Sequence, residues 1–119
     1  MDKKILLVDD AAFMRMLIRN TLTTNGYTNI LEAADGEIAV STYSAEKPDL
    51  VIMDITMPNK TGIEALKEIK EMDPGAKVVM CSAMGQEAMV VEAIKLGALD
   101  IVKPFKAERI LQTVKKILD

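Results

Sequence analysis

Short apolar runs alternate with amphipathic stretches along the whole chain. Ile5-Leu6-Leu7-Val8 is apolar at every position, and so is Leu50-Val51-Ile52-Met53. Unbroken runs of this length suit strands buried on both faces of a parallel sheet. The pattern predicts strands over about Lys4–Val8, Asn29–Ala33, Leu50–Asp54, Lys77–Ser82 and, shortest, Asp100–Val102. Between them the apolar positions switch to helical spacing. Met14, Leu17, Ile18 and Leu22 mark a helix over about Ala12–Thr24, and Ile38, Val40 and Tyr43 mark one from Asp35-Gly36 to about Ala45. Thr61-x-x-Glu64 has the spacing of a capping box and precedes Ile63, Leu66 and Ile69. A fourth helix spans about Gln86–Leu96. A fifth, over about Ala107–Leu118, puts Ile110, Leu111, Val114, Ile117 and Leu118 on one face. Asn25-Gly26, Pro48, Pro74-Gly75 and Gly97 fall between these segments, where turns and helix ends are expected.

Strands and helices alternating end to end predict an α/β fold around a five-stranded parallel sheet. Right-handed crossovers then place helices on both faces. A length of 119 residues suits one domain. With no linker or repeat, and with the fifth helix closing the chain, a single domain over 1–119 and no separate output domain is the expectation.

Composition narrows the chemistry. Half of the residues are hydrophobic but only 3% are aromatic, so the core is aliphatic and rich in methionine. The net charge is −3 and no basic run exists to neutralise a phosphate backbone, which speaks against nucleic-acid binding. No apolar stretch approaches the ~18 residues of a membrane span, and no signal-peptide core follows Met1-Asp2-Lys3-Lys4. The single cysteine, Cys81, lies in the apolar run Val78-Val79-Met80-Cys81 and reads as a reduced, buried thiol of a cytoplasmic protein. There is no histidine, so histidine acid–base chemistry and histidine metal sites are excluded.

The chemically capable residues gather at the carboxyl ends of the predicted strands, where sites form in open α/β sheets. Those ends supply Asp9 and Asp10, Asp54, Ser82 and Lys103. Taken singly, each has an ordinary reading: Asp9-Asp10 as a helix N-cap, Asp54 as a loop residue, Ser82 as a cap for the fourth helix, Lys103 as a solvated lysine. Together they do not. Two carboxylates ~5 Å apart repel by roughly 3 kcal/mol at an effective dielectric near 20, and a third adds to this. Such a cluster requires protons, a lysine or a cation, and with only oxygen ligands on offer Mg²⁺ is the natural ion. A divalent cation, a lysine, a hydroxyl and the backbone N–H groups at Ser82-Ala83, all around one carboxylate, make a phosphoryl-transfer site with an aspartyl phosphate as product.

Val8-Asp9-Asp10, Met53-Asp54-Ile55-Thr56-Met57-Pro58 with Gly62, Cys81-Ser82-Ala83 and Val102-Lys103-Pro104-Phe105 resemble the receiver domain of two-component response regulators. Ala11-Ala12-Phe13-Met14-Arg15 and Cys81-Ser82-Ala83-Met84-Gly85-Gln86 are most similar to stand-alone chemotaxis regulators of that family. The resemblance implies the flavodoxin-like strand order 2-1-3-4-5. It implies that Asp54 accepts a phosphoryl group from a phosphohistidine of a chemotaxis-type sensor histidine kinase. Asp10 and Asp54 would ligate Mg²⁺ with the Thr56 carbonyl, and Asp9 would act through water. Lys103 would pair with the phosphoryl group, across a cis peptide from Pro104, and Ser82 would hydrogen-bond it and draw in the following loop. Thr56 and Met84, each two residues beyond a site residue, would flank the group and tune its hydrolysis. A monomer is expected, switching a surface that includes Ala83, Met84, Val90 and Ile101. Its downstream partner would be a flagellar motor switch protein or another protein, with a phosphatase as a further candidate.

Two features leave alternatives open. Met89, Val90, Val91 and Ile94 are too many apolar residues for a narrow inward stripe, so at least one is expected at the surface, with Val90 as the choice; a wide buried face is the competing reading. Strand five carries no aromatic two before Lys103, where the family usually has one, and the segment from Ser82 is one residue short. Either Ile101 substitutes, or strand five is shifted, or the output face is not aromatic-gated. Other functions of the same fold fit less well. A flavodoxin-like cofactor binder would need a phosphate loop where Asp9-Asp10-Ala11-Ala12 stands, and a metal-dependent phosphatase would want an acid at Thr56. A phosphate-independent scaffold does not need the complete acidic, hydroxyl and lysine set. Within the family, a phosphorelay intermediate or a regulator of a pathway other than motility is the alternative role.

Overall fold

A computed structural model describes residues 3–83, 85–103 and 107–119. Ten elements alternate: β1 (Ile5–Val8), α1 (Ala12–Thr24), β2 (Ile30–Ala33), α2 (Gly36–Glu46), β3 (Leu50–Asp54), α3 (Gly62–Met72), β4 (Val78–Cys81), α4 (Glu87–Lys95), β5 (Asp100–Val102) and α5 (Ala107–Leu118). The strands form one parallel sheet in the order β2-β1-β3-β4-β5. Fold class and strand order are therefore as the sequence and its resemblance imply.

Side chains alternate across the sheet and build two cores. Leu6, Val8, Val51, Met53, Val78 and Met80 face α2, α3 and α4, where Ala39, Tyr43, Leu66, Ile69 and Ala93 meet them. Ile5, Leu7, Leu50, Ile52, Val79 and Val102 face the other way, against Ile18 and Leu22 of α1 and Ile110 and Val114 of α5. This two-sided burial explains the unbroken apolar runs of β1, β3 and β4, each buried at every apolar position.

The helix ends carry local signals. Thr61 and Glu64 form the capping box at α3. Asp35 caps α2 through Ile38 N–H at 2.8 Å, and its second carboxylate oxygen accepts from Asn59 Nδ2 at 2.9 Å. Asn59 is left-handed, with φ 65°. The cap thus ties α2 to the loop after β3. Gly62 completes that loop: its N–H donates to the Ile55 carbonyl at 2.8 Å. A Cβ at Gly62 would lie 2.0 Å from the Asp54 carbonyl oxygen, so only glycine lets α3 start against the end of β3.

Two of the ordinary single-residue readings fall away. The cap of α1 is Ala11, and no side chain caps it, so Asp9-Asp10 is not a helix cap. The cap of α4 is Gln86, also without a side-chain cap bond, which removes the capping role from Ser82.

Candidate functional site

β1 and β3 are adjacent and parallel, with Val8 opposite Met53. The next residues therefore emerge side by side at one sheet edge. Asp9, Asp10 and Asp54 each offer a carboxylate oxygen, all within 4.8 Å of one another. Asp9 is buried, Asp54 half-buried and Asp10 exposed. Asp9 is anchored by its own N–H to the Ala33 carbonyl, 3.2 Å, and by Ala11 N–H donating to its Oδ1 at 2.8 Å.

Burial and mutual repulsion decide the electrostatics. Burial, then the charge of Asp9 and that of Asp10, push Asp54 up from the ordinary 3.8 to about 6, against the pull of the Thr56 and Ile55 N–H groups. Burial likewise raises Asp9, with Ala11 N–H opposing it. Burial and the nearby Asp54 push the Cys81 thiol up to about 12, so it is an inert core thiol rather than a nucleophile. Among the described residues no ion pair reaches the three carboxylates. Hard oxygen donors, crowded and mutually destabilised, with one open to solvent, are the donor set that suits Mg²⁺. The residues fit the ion.

The neighbouring strand ends add hydroxyl and amide groups. Ser82 is buried just beyond β4, and its N–H donates to the Val102 carbonyl at 2.9 Å. Its hydroxyl donates toward the Ala83 carbonyl, 3.1 Å, or Gln86 Oε1, 3.3 Å. Gln86 Oε1 also accepts from Ala83 N–H at 2.8 Å, and Gln86 Nε2 donates to Thr56 Oγ1 at 2.6 Å. Lys103 is exposed just beyond β5 and shares a groove with Ser82, Ala83, Gln86, Val90 and Val91.

The response regulator receiver domain model matches residues 5–115. The chain belongs to the response regulator receiver domain family. It is 55% identical over 120 residues to the chemotaxis protein CheY of Bacillus subtilis, covering 100% of both chains. It is 54% identical over 118 residues to the CheY of Thermotoga maritima, covering 98% of each. A crystal structure of a CheX–CheY–BeF3–Mg²⁺ complex from Borrelia burgdorferi superposes with a TM-score of 0.89 at 39% identity, covering 98% of this chain and 89% of that one. This receiver is thus of the CheY type.

The receiver fold brings Asp9, Asp10 and Asp54 together as the sequence predicts, and aligns Ser82 and Lys103 on the same edge. It does not join Lys103 to a carboxylate: among the described residues none of the ion pairs includes it. The β5 register runs Val79–Asp100, Met80–Ile101, Cys81–Val102 without interruption, which sets Ile101 opposite Met80. Ile101 is half-buried and packs on the core with Val90, Leu96 and Ala98. On α4 the surface assignment moves. Val90 is half-buried, while Met89, Val91 and Ile94 are 44%, 52% and 58% exposed and only Ala93 is fully buried. The wide buried face is overturned, and the most exposed apolar residues are Ile94 and Val91 rather than Val90. Ala83 is exposed. Met84 and the Lys103–Pro104 peptide lie outside the described residues. Gln86 had no signal in the sequence beyond standing at a helix start.

Proposed function

We propose that the protein is a phosphorylation-activated, single-domain response regulator of chemotaxis, with Asp54 as phosphoacceptor. The observation that carries this is the meeting of Asp9, Asp10 and Asp54 within 4.8 Å at the carboxyl ends of two adjacent central strands. The phosphodonor is a phosphohistidine of a sensor histidine kinase. An Asp54 carboxylate oxygen attacks phosphorus in line, an O–P bond forms, the N–P bond breaks, and the imidazole leaves with the electron pair.

Asp10, Asp54 and the Thr56 carbonyl would hold Mg²⁺, with Asp9 acting through water. When bound, the ion neutralises charge developing on the phosphoryl oxygens. Lys103 pairs with the phosphoryl group as a point charge, and Ser82 donates its hydroxyl to it. The chain acts on itself and is a signalling protein rather than an enzyme with an external substrate; by the family resemblance, Thr56 and Met84 would tune the lifetime of the group. The product carries more charge and more acceptor oxygens than the carboxylate it replaces. Ser82 and the loop after it move to meet it, and the change is read at the α4 surface by a partner protein in the cytoplasm, a flagellar motor switch protein or another target. The Borrelia CheY found with BeF3, Mg²⁺ and CheX supports both the ion and regulation by a protein partner, a phosphatase among the candidates.

Incubation with acetyl phosphate and Mg²⁺ is expected to add one phosphoryl mass to the intact protein, and Asp54→Ala to abolish the addition. An unchanged mass for the parent protein overturns the assignment.

A further inference from the structure

A single side-chain amide ties the loop after β4 to the loop after β3. Gln86 Oε1 receives Ala83 N–H at 2.8 Å and lies 3.3 Å from the Ser82 hydroxyl, which is 3.1 Å from the Ala83 carbonyl, and Gln86 Nε2 donates to Thr56 Oγ1 at 2.6 Å. Its orientation is set by its partners. A backbone N–H can only donate, so the amide oxygen must face Ala83 and the amide nitrogen then faces Thr56. Thr56 is 30 residues away in sequence, so the contact belongs to the tertiary structure and not to a local turn. Ser82 is held at its own N–H by the Val102 carbonyl at 2.9 Å, which leaves its hydroxyl as the adjustable group.

Two donors beyond β4 suit a phosphoryl group on Asp54: the Ser82 hydroxyl and the Ala83 N–H. In this structure the Ala83 N–H is taken by the neutral Gln86 Oε1, and the single proton of the Ser82 hydroxyl is shared between that oxygen and the Ala83 carbonyl. We infer that Gln86 is a positioning residue that occupies the Ala83 N–H and competes for the Ser82 hydroxyl in the unphosphorylated protein, so that the phosphoryl group must displace its amide to recruit them. The inference rests on the receiver reading of Asp54. A phosphoryl oxygen wins the exchange because charge-assisted hydrogen bonds are shorter and roughly twice as strong as neutral ones. Displacement also frees Thr56 beside the acceptor, so both loops are released in one event. Gln86 is the cap residue of α4, and the release is therefore felt along the face where Met89 and Val91 are exposed.

The test is a beryllofluoride titration of the full chain at saturating Mg²⁺, followed at the Ala83 amide by ¹H–¹⁵N NMR. Gln86→Ala removes the competing acceptor and is expected to bind beryllofluoride about 2- to 10-fold more tightly, the worth of one neutral hydrogen bond. Its ligand-free Ala83 resonance should move toward the position of the bound parent, with Mg²⁺ affinity alone unchanged. Gln86→Glu offers a charged acceptor to the same donors and is expected to bind more weakly than the parent. A merely structural role would move both variants in one direction, and that result overturns the inference, as does unchanged or weaker binding by Gln86→Ala. If Gln86→Ala does not fold, Gln86→Glu decides: equal or tighter binding overturns it. A parent that binds no beryllofluoride overturns the receiver reading and this inference together, whereas a parent that binds beside an unresponsive Gln86→Ala overturns this inference alone.

Discussion

Glu32 on β2 and the Asp9–Asp10–Asp54 cluster are both acidic, near neighbours, and treated in opposite ways. Glu32 lies between two guanidinium groups, with Arg15 Nε and Arg19 Nε each 2.7 Å from its oxygens. The Arg15 hydrogen bond, then that of Arg19, hold its carboxyl below the ordinary 4.5. The cluster has no such partner among the described residues, and Asp54 is pushed up instead. Cations are not scarce there. Arg15 stands beside Asp9, but its guanidinium donates to the Asp9 backbone carbonyl and to Glu32, not to the Asp9 carboxylate. The fold places an arginine next to the cluster and directs its hydrogen bonds away from the carboxylates, leaving only its charge to oppose the rise at Asp9. On the proposed function the crowded carboxylates are thus left for a cation and a phosphoryl group, while Glu32 is held in permanent ion pairs.

The largest expected effect comes from disturbing where the cluster stands. Gly62→Ala drives a Cβ into the Asp54 carbonyl, and over-packing of this kind costs about 1–3 kcal/mol. Denaturant unfolding should show that loss, with a fall in Mg²⁺ affinity because the end of β3 must shift.

Next is the pH dependence of the cluster in metal-free protein. Asp54 has its folded value near 6, above the ordinary 3.8, so the folded state holds its proton more tightly than the unfolded state. Its contribution to stability therefore falls as pH rises from about 4 to about 6, and the cost is fully present above that window. Asp54→Asn should remove this slope and stabilise the neutral, metal-free protein by about 1–3 kcal/mol.

Glu32→Gln should do the reverse on a smaller scale. Its folded value is depressed, so its contribution is full above 4.5 and is lost as pH falls through the folded value. The variant should be less stable than the parent at pH 7 by about 0.5–1 kcal/mol, as for a partly exposed ion pair. The gap should close in acid. Equal pH slopes in Asp54→Asn and Glu32→Gln would erase the comparison.

How much of this was legible beforehand varies along the chain for physical reasons. β1, β3 and β4 are buried on both faces, so their residues are apolar without interruption and their boundaries fall within a residue of expectation. The acidic cluster follows from them, since two adjacent parallel strands must deliver their next residues to one edge. α4 was harder. It is apolar around more than half its circumference, and only packing reveals that Val90 turns to the core while Val91 and Ile94 face outward. Ile38 on α2, 44% exposed, misleads in the same way. The Gln86 bridge was invisible, because an amide at a helix start is ordinary and its partner Thr56 arrives only by folding. Likewise nothing in the sequence shows that the hydrogen bonds of Arg15 go to Glu32 and the Asp9 carbonyl rather than to the Asp9 carboxylate.

The most direct measurement compares the unfolding free energies of the parent and Asp54→Asn at neutral pH, first in chelator and then in saturating Mg²⁺. If the cluster is strained for want of a cation, the variant is the more stable protein in chelator. Mg²⁺ then stabilises the parent more than the variant and narrows or reverses the gap. A parent that is already the more stable protein in chelator, or that gains no more from Mg²⁺ than the variant does, contradicts the account.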